Sequence, residues 1–557
     1  MALKGNGQLL VRVQQAAFSS IFAEDANANI ALRDDAPFKL PGYSLEPLSP
    51  APQLRATFTA QAIGNHWLLA KPVASGGEEN PWDAAHAAAA ANGYKHFVEP
   101  DVEHRRAPPP TGVLDGGLNK DWPPGPNDHV SPVWHLKSGF TRFESAWART
   151  KGAGVKIAHL DTGYTPGHAS RPRHLREHLA YDFWTNKPGA VDPGDAGLGL
   201  MPGHGTATLA LLAGAAMDLT FGTQNYKGDI GGAPDADVIP VRISPSVIHL
   251  YTSTMARGLY YALAPGGDPA NKCDVVSISH GGLPSASWAD AVNMLYDDGV
   301  TIVAASGDSI YLVLLDLATR FTVYPAAFNR VLTALGATYA KKPYITKKFG
   351  VMQGCWGPKD VMEKAIAAYT PNVAWMQFKD LPGGFSMDGG GTSSSTPQIA
   401  AACALWLQLY RAHLPADWRR VEACRLALFD SADHDHPDKE HLGWGLLNAA
   451  NMLDDKRSKE IVAKANGGAL GKSGVDVVSF PFWRLLLGAA PPNSEQERMY
   501  EAEVAQVVMQ SDNHELLHAA ARAFEGETFS DDERAKYRAL LIAEGVSAAL
   551  RNRVEKL

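Results

Sequence analysis

Through the middle of the chain one pattern recurs. A short run of β-branched and apolar residues is followed by a break rich in glycine, proline or aspartate, and then by a stretch whose apolar positions return at helical spacing. Residues 155–160, 238–243, 275–279, 300–305 and 331–335 read as strands, and residues 253–263 and 287–297 as helices between them. The strands are apolar without in-and-out alternation, which predicts burial on both faces. Alternation of such strands with helices predicts an α/β fold with a doubly wound, mostly parallel sheet and helices on both faces. Ligands in sheets of this kind bind beyond the carboxyl ends of the strands.

The flanks differ. Residues 9–13, 67–70 and 96–102 read as strands and residues 81–92 as an Ala-rich helix, a small N-terminal α+β domain assigned to 1–107. Arg105-Arg106-Ala107-Pro108-Pro109-Pro110 and the Gly/Pro/Asp-rich run after it predict an extended, exposed linker over 108–128. The regular pattern fills 129–456. Residues 457–557 form a helical C-terminal extension, in which Ser530-Asp531-Asp532-Glu533 is a capping box. Phe529 is placed to staple onto the Ala535, Leu540 and Leu541 face, and 493–524 reads as one further amphipathic helical stretch.

Composition narrows the classes of function. The 557 residues are 45% apolar and 20% charged, with a net charge of −8, which is a globular balance and argues against a nucleic-acid partner, since that needs a basic face. The N-terminus has no apolar core ahead of its second basic residue, so no secretory signal is expected. The apolar stretch 475–490 is interrupted by Asp476, Pro481 and Arg484, which argues against a membrane span. Cys273, Cys355, Cys403 and Cys424 form no paired motif and predict free thiols in a reducing, cytoplasmic setting.

Three short motifs carry chemistry. Gly390-Gly391-Thr392-Ser393-Ser394-Ser395-Thr396-Pro397 runs into an Ala-rich helix and delivers Ser393 at a helix N-terminus, where unpaired N–H groups favour negative charge. Read alone, it is more simply a glycine loop ending in a helix cap. Asp161-Thr162-Gly163 follows a predicted strand. No second Asp-Thr-Gly or Asp-Ser-Gly occurs, so an aspartic-protease pair within one chain is excluded. Gly203-His204-Gly205-Thr206 opens a small-residue helix, its glycines allowing close approach to the imidazole. A carboxylate to orient, an imidazole to take a proton and a serine to attack are the parts of a nucleophilic triad.

These motifs, in the order Asp161, His204, Ser393, resemble those of the subtilisin-like serine proteases, the subtilases. Further likenesses run from about Trp134 to Leu453: Gly232-Ala233-Pro234, Ser279-His280-Gly281-Gly282, Val323-Tyr324-Pro325-Ala326, Trp356-Gly357-Pro358 and Gly443-Trp444-Gly445-Leu446-Leu447-Asn448-Ala449. Phe97-Val98-Glu99-Pro100-Asp101 resembles the last strand of a subtilase propeptide. The resemblance implies a serine endopeptidase with catalytic Asp161, His204 and Ser393, a polypeptide substrate lying beside Ser279, His280, Gly281 and beside Ala305, Ser306, Gly307, and an inhibitory N-terminal unit that makes the chain a zymogen. Autoprocessing is expected between about Asp101 and Asp128, with Arg105-Arg106 as one candidate. No metal or cofactor is required for the chemistry. Structural calcium is common in the family, yet no dense acidic loop stands out, and Asp192 with Asp195 is the nearest candidate.

Two departures set the alternative. Where the family carries an asparagine that donates to the oxyanion, this chain has Asp308, as do some kexin-like relatives. Ala207 and Leu209 replace the usual His and Ala after His204. An ionised Asp308 would repel the developing charge, and one lost donor costs about 2.7–4 kcal/mol of transition-state stabilisation. The competing reading is therefore a weakly active or inactive scaffold that serves as a partner-regulated binding module, with the C-terminal helices as the surface for a regulatory protein. His280 is read either as a partly exposed loop residue or as one that selects substrate side chains.

Overall fold

The computed structural model describes residues 3–14, 22–24, 30–32, 40–49, 65–74, 80–105, 118–125, 128–194, 201–310, 320–376, 383–435, 438–487 and 492–556. Arg106, most of the 108–128 linker and Asp195 lie outside the described residues. The N-terminal part pairs β1 (Gly5–Gln14) antiparallel with β3 (Asn65–Pro72) and β4 (Val98–Arg105), and β2 (Tyr43–Pro47) with β3. Helix α1 (Pro81–Ala91) starts on Pro81, with the Asn80 side chain accepting from Trp82 N, a cap that fixes where it begins.

Among the described residues the central sheet has eight strands: β5 (Lys156–Asp161), β6 (Tyr181–Asp182), β7 (Lys187–Pro188), β8 (Asp237–Arg242), β10 (Val275–Ile278), β11 (Thr301–Ala305), β12 (Leu332–Ala337) and β13 (Ala365–Tyr369). A short strand outside it, β9 (His249–Tyr251), pairs antiparallel with β4. The order is β13-β12-β11-β10-β5-β8-β6-β7, parallel except at the β6–β7 edge. Ile157 pairs with both Val238 and Val275, so β5, which carries Asp161, is central.

Successive residues of one strand feed opposite layers. Ala158 and Leu160 join the core of helices α3 (Thr252–Tyr261) and α4 (Ala286–Asp297), while Ile157 joins that of α2 (His204–Ala213) and α5 (Thr392–Tyr410). Helices on both faces of a mostly parallel sheet make the fold doubly wound. Helix α5 is buried along nearly all of its length and apolar all round from Ile399 to Leu407, as a helix through the middle of a large core must be. Helices α6 (Trp418–Asp430) and α7 (Asp455–Asn466) pack outside it.

The tail is helical: α8 (Pro481–Leu487), α9 (Glu495–Gln510), α10 (His514–Phe524), α11 (Asp531–Ala543) and α12 (Ala548–Glu555). The stretch expected as one amphipathic unit, 493–524, is two helices. The Asn513 side chain accepts from Glu515 N and Leu516 N and starts the second. The capping box at Ser530 forms, but Phe529 lays its ring on Tyr537 and Phe482, ring partners that the sequence reading did not name. The described end of the linker is not free. Trp122 is buried against Tyr344, and Asn372 Nδ2 donates to the Asn119 and Trp122 carbonyls. All four cysteines are buried and none is in a disulfide.

His135 sits in this core with both ring nitrogens unpartnered, and burial pulls its imidazole down from 6.5 to about 3. The unfolded chain takes up that proton and the folded one refuses it. Its contribution to stability is full above 6.5 and is lost as the pH falls toward 3. Thermal unfolding followed from pH 7 to pH 4 should show a smaller fall in Tm for His135→Phe than for the wild type.

Candidate active site

Strand β5 ends on Asp161, which has no exposed surface. Helix α2 begins on His204 after Gly203 in the left-handed region (φ +81°). The two segments touch backbone to backbone: a Cβ on Gly205 would stand 2.0 Å from the Gly163 carbonyl. Only glycine permits this approach, and it brings His204 Nδ1 to 2.7 Å from Asp161 Oδ1. Thr162 N donates to the same oxygen at 2.7 Å, and the Thr208 hydroxyl donates to Oδ2 at 2.9 Å. With that proton committed, Thr208 Oγ1 accepts from His159 Nε2 at 2.9 Å.

Neither Thr208 nor His159 was picked out from the sequence, although the spacing holds the signal. Thr208 is four residues after His204 on one helical face, and His159 is two before Asp161 on one strand face. Asp192, considered from sequence as half of a calcium loop, is buried and spends its carboxylate inside the protein. Oδ2 accepts from Thr162 Oγ1 at 3.1 Å and Gly203 N at 2.9 Å, and Oδ1 from Gly194 N at 2.8 Å. It therefore ties the turn after Asp161 to the turn before His204.

Ser393 is the second residue of α5, whose N-cap, Gly391, has φ +71° and a would-be Cβ 2.7 Å from Asp308 Oδ2. Pro397 lies inside this helix and has no N–H for the Ser393 carbonyl four residues before it. The Ser279 hydroxyl fills the vacancy at 3.0 Å, and the Ser393 hydroxyl donates in return to the Ser279 carbonyl at 3.3 Å. Asp308 Oδ1 accepts from Thr392 N at 2.9 Å, so its carboxylate caps the first turn of α5.

Ala305 ends β11 and Gly307 follows it, where Gly307 N meets Thr392 Oγ1 at 3.2 Å. The backbone groups of Ser306 and Gly282 are engaged by Val323 and Tyr324. A Cβ on Gly281 would stand 2.1 Å from Val323 Cγ2. His280 differs from both sequence expectations. Its side chain has no exposed surface, with Nε2 2.8 Å from Ser244 Oγ and Nδ1 3.9 Å from Asp161 Oδ2. His280 thus turns one ring nitrogen toward the carboxylate and holds Ser244 with the other. Trp375, on the hairpin β14 (Val373–Met376) and β15 (Phe385–Gly389), sets its ring edge-on to His204 at 5.4 Å.

Burial alone would push the Asp161 carboxyl up, but the neighbouring imidazoles and hydrogen bonds outweigh it and hold the carboxyl below its usual range. Burial lowers His159 and His280 to about 4, so both are neutral near pH 7.

A buried carboxylate bonded to an imidazole, with a serine on the first turn of a helix at the same edge of a parallel sheet, defines a class of nucleophilic hydrolases. Sequence comparison names the family. The subtilase family matches residues 152–445, and the chain belongs to it, as a subtilisin-like serine peptidase. It is similar to the intracellular serine protease of Paenibacillus polymyxa (25% identical over 280 residues, 50% of this chain and 74% of that protein). It is likewise similar to subtilisin DY of Bacillus licheniformis (27% over 265 residues, 47% and 79%) and to thermitase of Thermoactinomyces vulgaris (23% over 305 residues, 55% and 90%).

Replacing Asp192 by Ala leaves the Thr162 hydroxyl and the Gly203 and Gly194 N–H groups without their acceptor, a loss of about 1–3 kcal/mol per buried group. Peptide-cleavage kinetics with parallel thermal unfolding should show a lower kcat, a lower Tm and a KM within about twofold of wild type, because the bridge acts on the turns and not on bound peptide.

Proposed function

We propose that the chain is an endopeptidase that works through an acyl-enzyme on Ser393. After a rotation of its hydroxyl away from the Ser279 carbonyl, Ser393 Oγ attacks the peptide carbonyl. His204 Nε2, the ring atom left over once Nδ1 is committed to Asp161, takes the proton and later returns it to the leaving amine. Asp161 orients the ring and stabilises the imidazolium. The observation that carries this reading is the 2.7 Å bond between buried Asp161 and His204. Ser393 N–H, at the first turn of α5, is the backbone donor to the oxyanion. Substrate runs extended along Ser279–Gly281 and Ala305–Gly307. Four buried cysteines, none of them in a disulfide, support a cytoplasmic enzyme.

We further propose that residues 1–107 inhibit the enzyme and that the C-terminal helices hold them in place. Support comes from strand β4. Buried Glu99 accepts from Ser285 Oγ, Ala286 N and Ser287 N at the start of α4, and buried Asp101 from Ser253 N and Oγ at the start of α3. His104 continues the strand toward Gly282, its ring accepting from Leu283 N at 2.9 Å and stacked on Trp288. On the other side α9 faces α1, with Glu503 at 3.0 Å from His86 and Gln506 accepting from Trp82 Nε1 at 2.9 Å. The partner expected for the C-terminal helices is, on this reading, the chain's own N-terminal unit.

A fluorophosphonate should label the wild type and leave Ser393→Ala unlabelled; equal labelling discards the nucleophile. In the full chain, Glu99→Ala with Asp101→Ala should raise cleavage of a short peptide, and an unchanged rate discards inhibition by the N-terminal unit.

Asp308→Asn keeps an oxygen for Thr392 N and adds an N–H₂ donor. It should raise kcat near neutral pH, by up to the roughly 10²–10³ that one oxyanion donor is worth, with KM little changed. A kcat equal to or below wild type in the same assay rules out Asp308 as the weak point of the oxyanion site.

A further inference from the structure

We propose that Asp161, His204 and His280 form an inhibitory site for a divalent transition-metal ion of the zinc type, bound through Asp161 Oδ2, His204 Nδ1 and His280 Nδ1. Among the described residues these are the three side chains whose ligand atoms lie within 4.8 Å of one another. Two imidazoles and a carboxylate are a donor set that suits zinc, which sits about 2.0–2.2 Å from such atoms, so that two ligands of one ion stand roughly 3–4 Å apart. His280 Nδ1 and Asp161 Oδ2 are 3.9 Å apart.

The independent observation is the state of His280. Its side chain is wholly buried, its Nδ1 has no hydrogen-bond partner, and that atom is aimed at the carboxylate. Neither tautomer gives Nδ1 a hydrogen-bond partner. With the proton on Nε2, donated to Ser244 Oγ at 2.8 Å, the Nδ1 lone pair faces an anion; with the proton on Nδ1, 3.9 Å is too long for a hydrogen bond. A cation between the two atoms satisfies both. His159 Nε2 lies equally far from Asp161 Oδ2 and holds Thr208 Oγ1 at 2.9 Å, but among the described residues the group that closes within 4.8 Å is the one with His204 and His280. The rings of His204 and His280 stand perpendicular, 5.6 Å apart, which lets both nitrogens approach one point from different sides.

The consequence for activity rests on the role proposed for His204; the site itself does not. Metal on Nδ1 requires the proton now given to Asp161 to move to Nε2. The ring stays neutral, no electron is transferred, and the nitrogen that should accept the Ser393 proton already carries one. The loaded protein cannot act as a base until a chelator removes the ion.

The test uses the full chain with Ser393→Ala, which cannot digest itself. Equilibrium dialysis with Zn²⁺ should give one tightly held ion per chain, weakened at least about tenfold in His280→Phe and in His204→Phe. Co²⁺ should give the visible absorption of a four-coordinate site. X-ray absorption of the zinc-loaded chain, which needs no His280 variant and so survives any folding defect, should show two imidazole ligands. Absence of stoichiometric zinc, undiminished binding in His280→Phe, or a zinc shell without imidazole overturns the site. On the wild type, zinc should abolish peptide cleavage and EDTA restore it. Cleavage that persists in the zinc-loaded enzyme overturns the inhibitory role of the site, while a wild type that never cleaves refutes the proposed function and leaves the binding arm readable.

Discussion

Asp161 is a carboxylate with no contact to solvent, and the layout around it follows from keeping it charged. Moving a carboxylate out of water costs several kcal/mol unless hydrogen bonds and opposite charge replace hydration. Here Thr162 N, Thr208 Oγ1 and His204 Nδ1 supply the bonds. Satisfying both oxygens demands that α2 start almost on top of the turn after β5, which is why Gly205 must be a glycine and why Asp192 is spent on joining the two turns. The sheet order serves the same end, since β5 lies in its interior, where water is excluded from both faces.

Two other buried acids meet the same cost differently. Glu99 and Asp101 are as deeply buried as Asp161, but their hydrogen-bond donors are neutral: hydroxyls and backbone N–H groups at the starts of α4 and α3, and for Asp101 the Asn6 amide as well, with Arg257 acting on it only through its charge. Burial outweighs those dipoles, and both carboxyls titrate above their usual values. Asp161, with three imidazoles around it, titrates below. A hydrogen-bonding shell of similar size thus gives opposite outcomes according to whether a group able to carry positive charge belongs to it.

The fold was legible because its signals are local. Continuous apolar runs at β5, β8, β10, β11 and β12 could be nothing but buried strands, whereas β13, written Ala-Ile-Ala-Ala-Tyr, lacks β-branched density and went unread. The Asp161–His204 juxtaposition followed from motifs on predicted strand and helix ends. What could not be read was which neighbour fills a vacancy. Pro397 announces an unpaired Ser393 carbonyl, but that Ser279 supplies the missing donor depends on how β10 meets α5. His280 read either as a partly exposed loop residue or as one that selects substrate side chains, and only its bond to Ser244 and its approach to Asp161 show that it points inward. The split at Asn513 was written in the sequence as a helix-capping residue and was overridden by the amphipathic pattern on either side.

The C-terminal helices are joined to the N-terminal unit by groups that each serve two elements. Glu503 faces His86 of α1 with one oxygen and accepts from Ser547 N with the other, while Gln506 accepts from Trp82 and donates to the Pro284 carbonyl just before α4. Helix α9 is therefore bonded at once to the N-terminal unit, to the central domain and to the start of α12. Buried polar groups shared in this way are costly to separate one at a time, because each parting leaves an unpaired partner in a low-dielectric interface. An N-terminal unit held only through β4 would depart when the linker is cut. Held from α9 as well, it has to break two buried interfaces together, so cutting the linker does not by itself release it from the central domain.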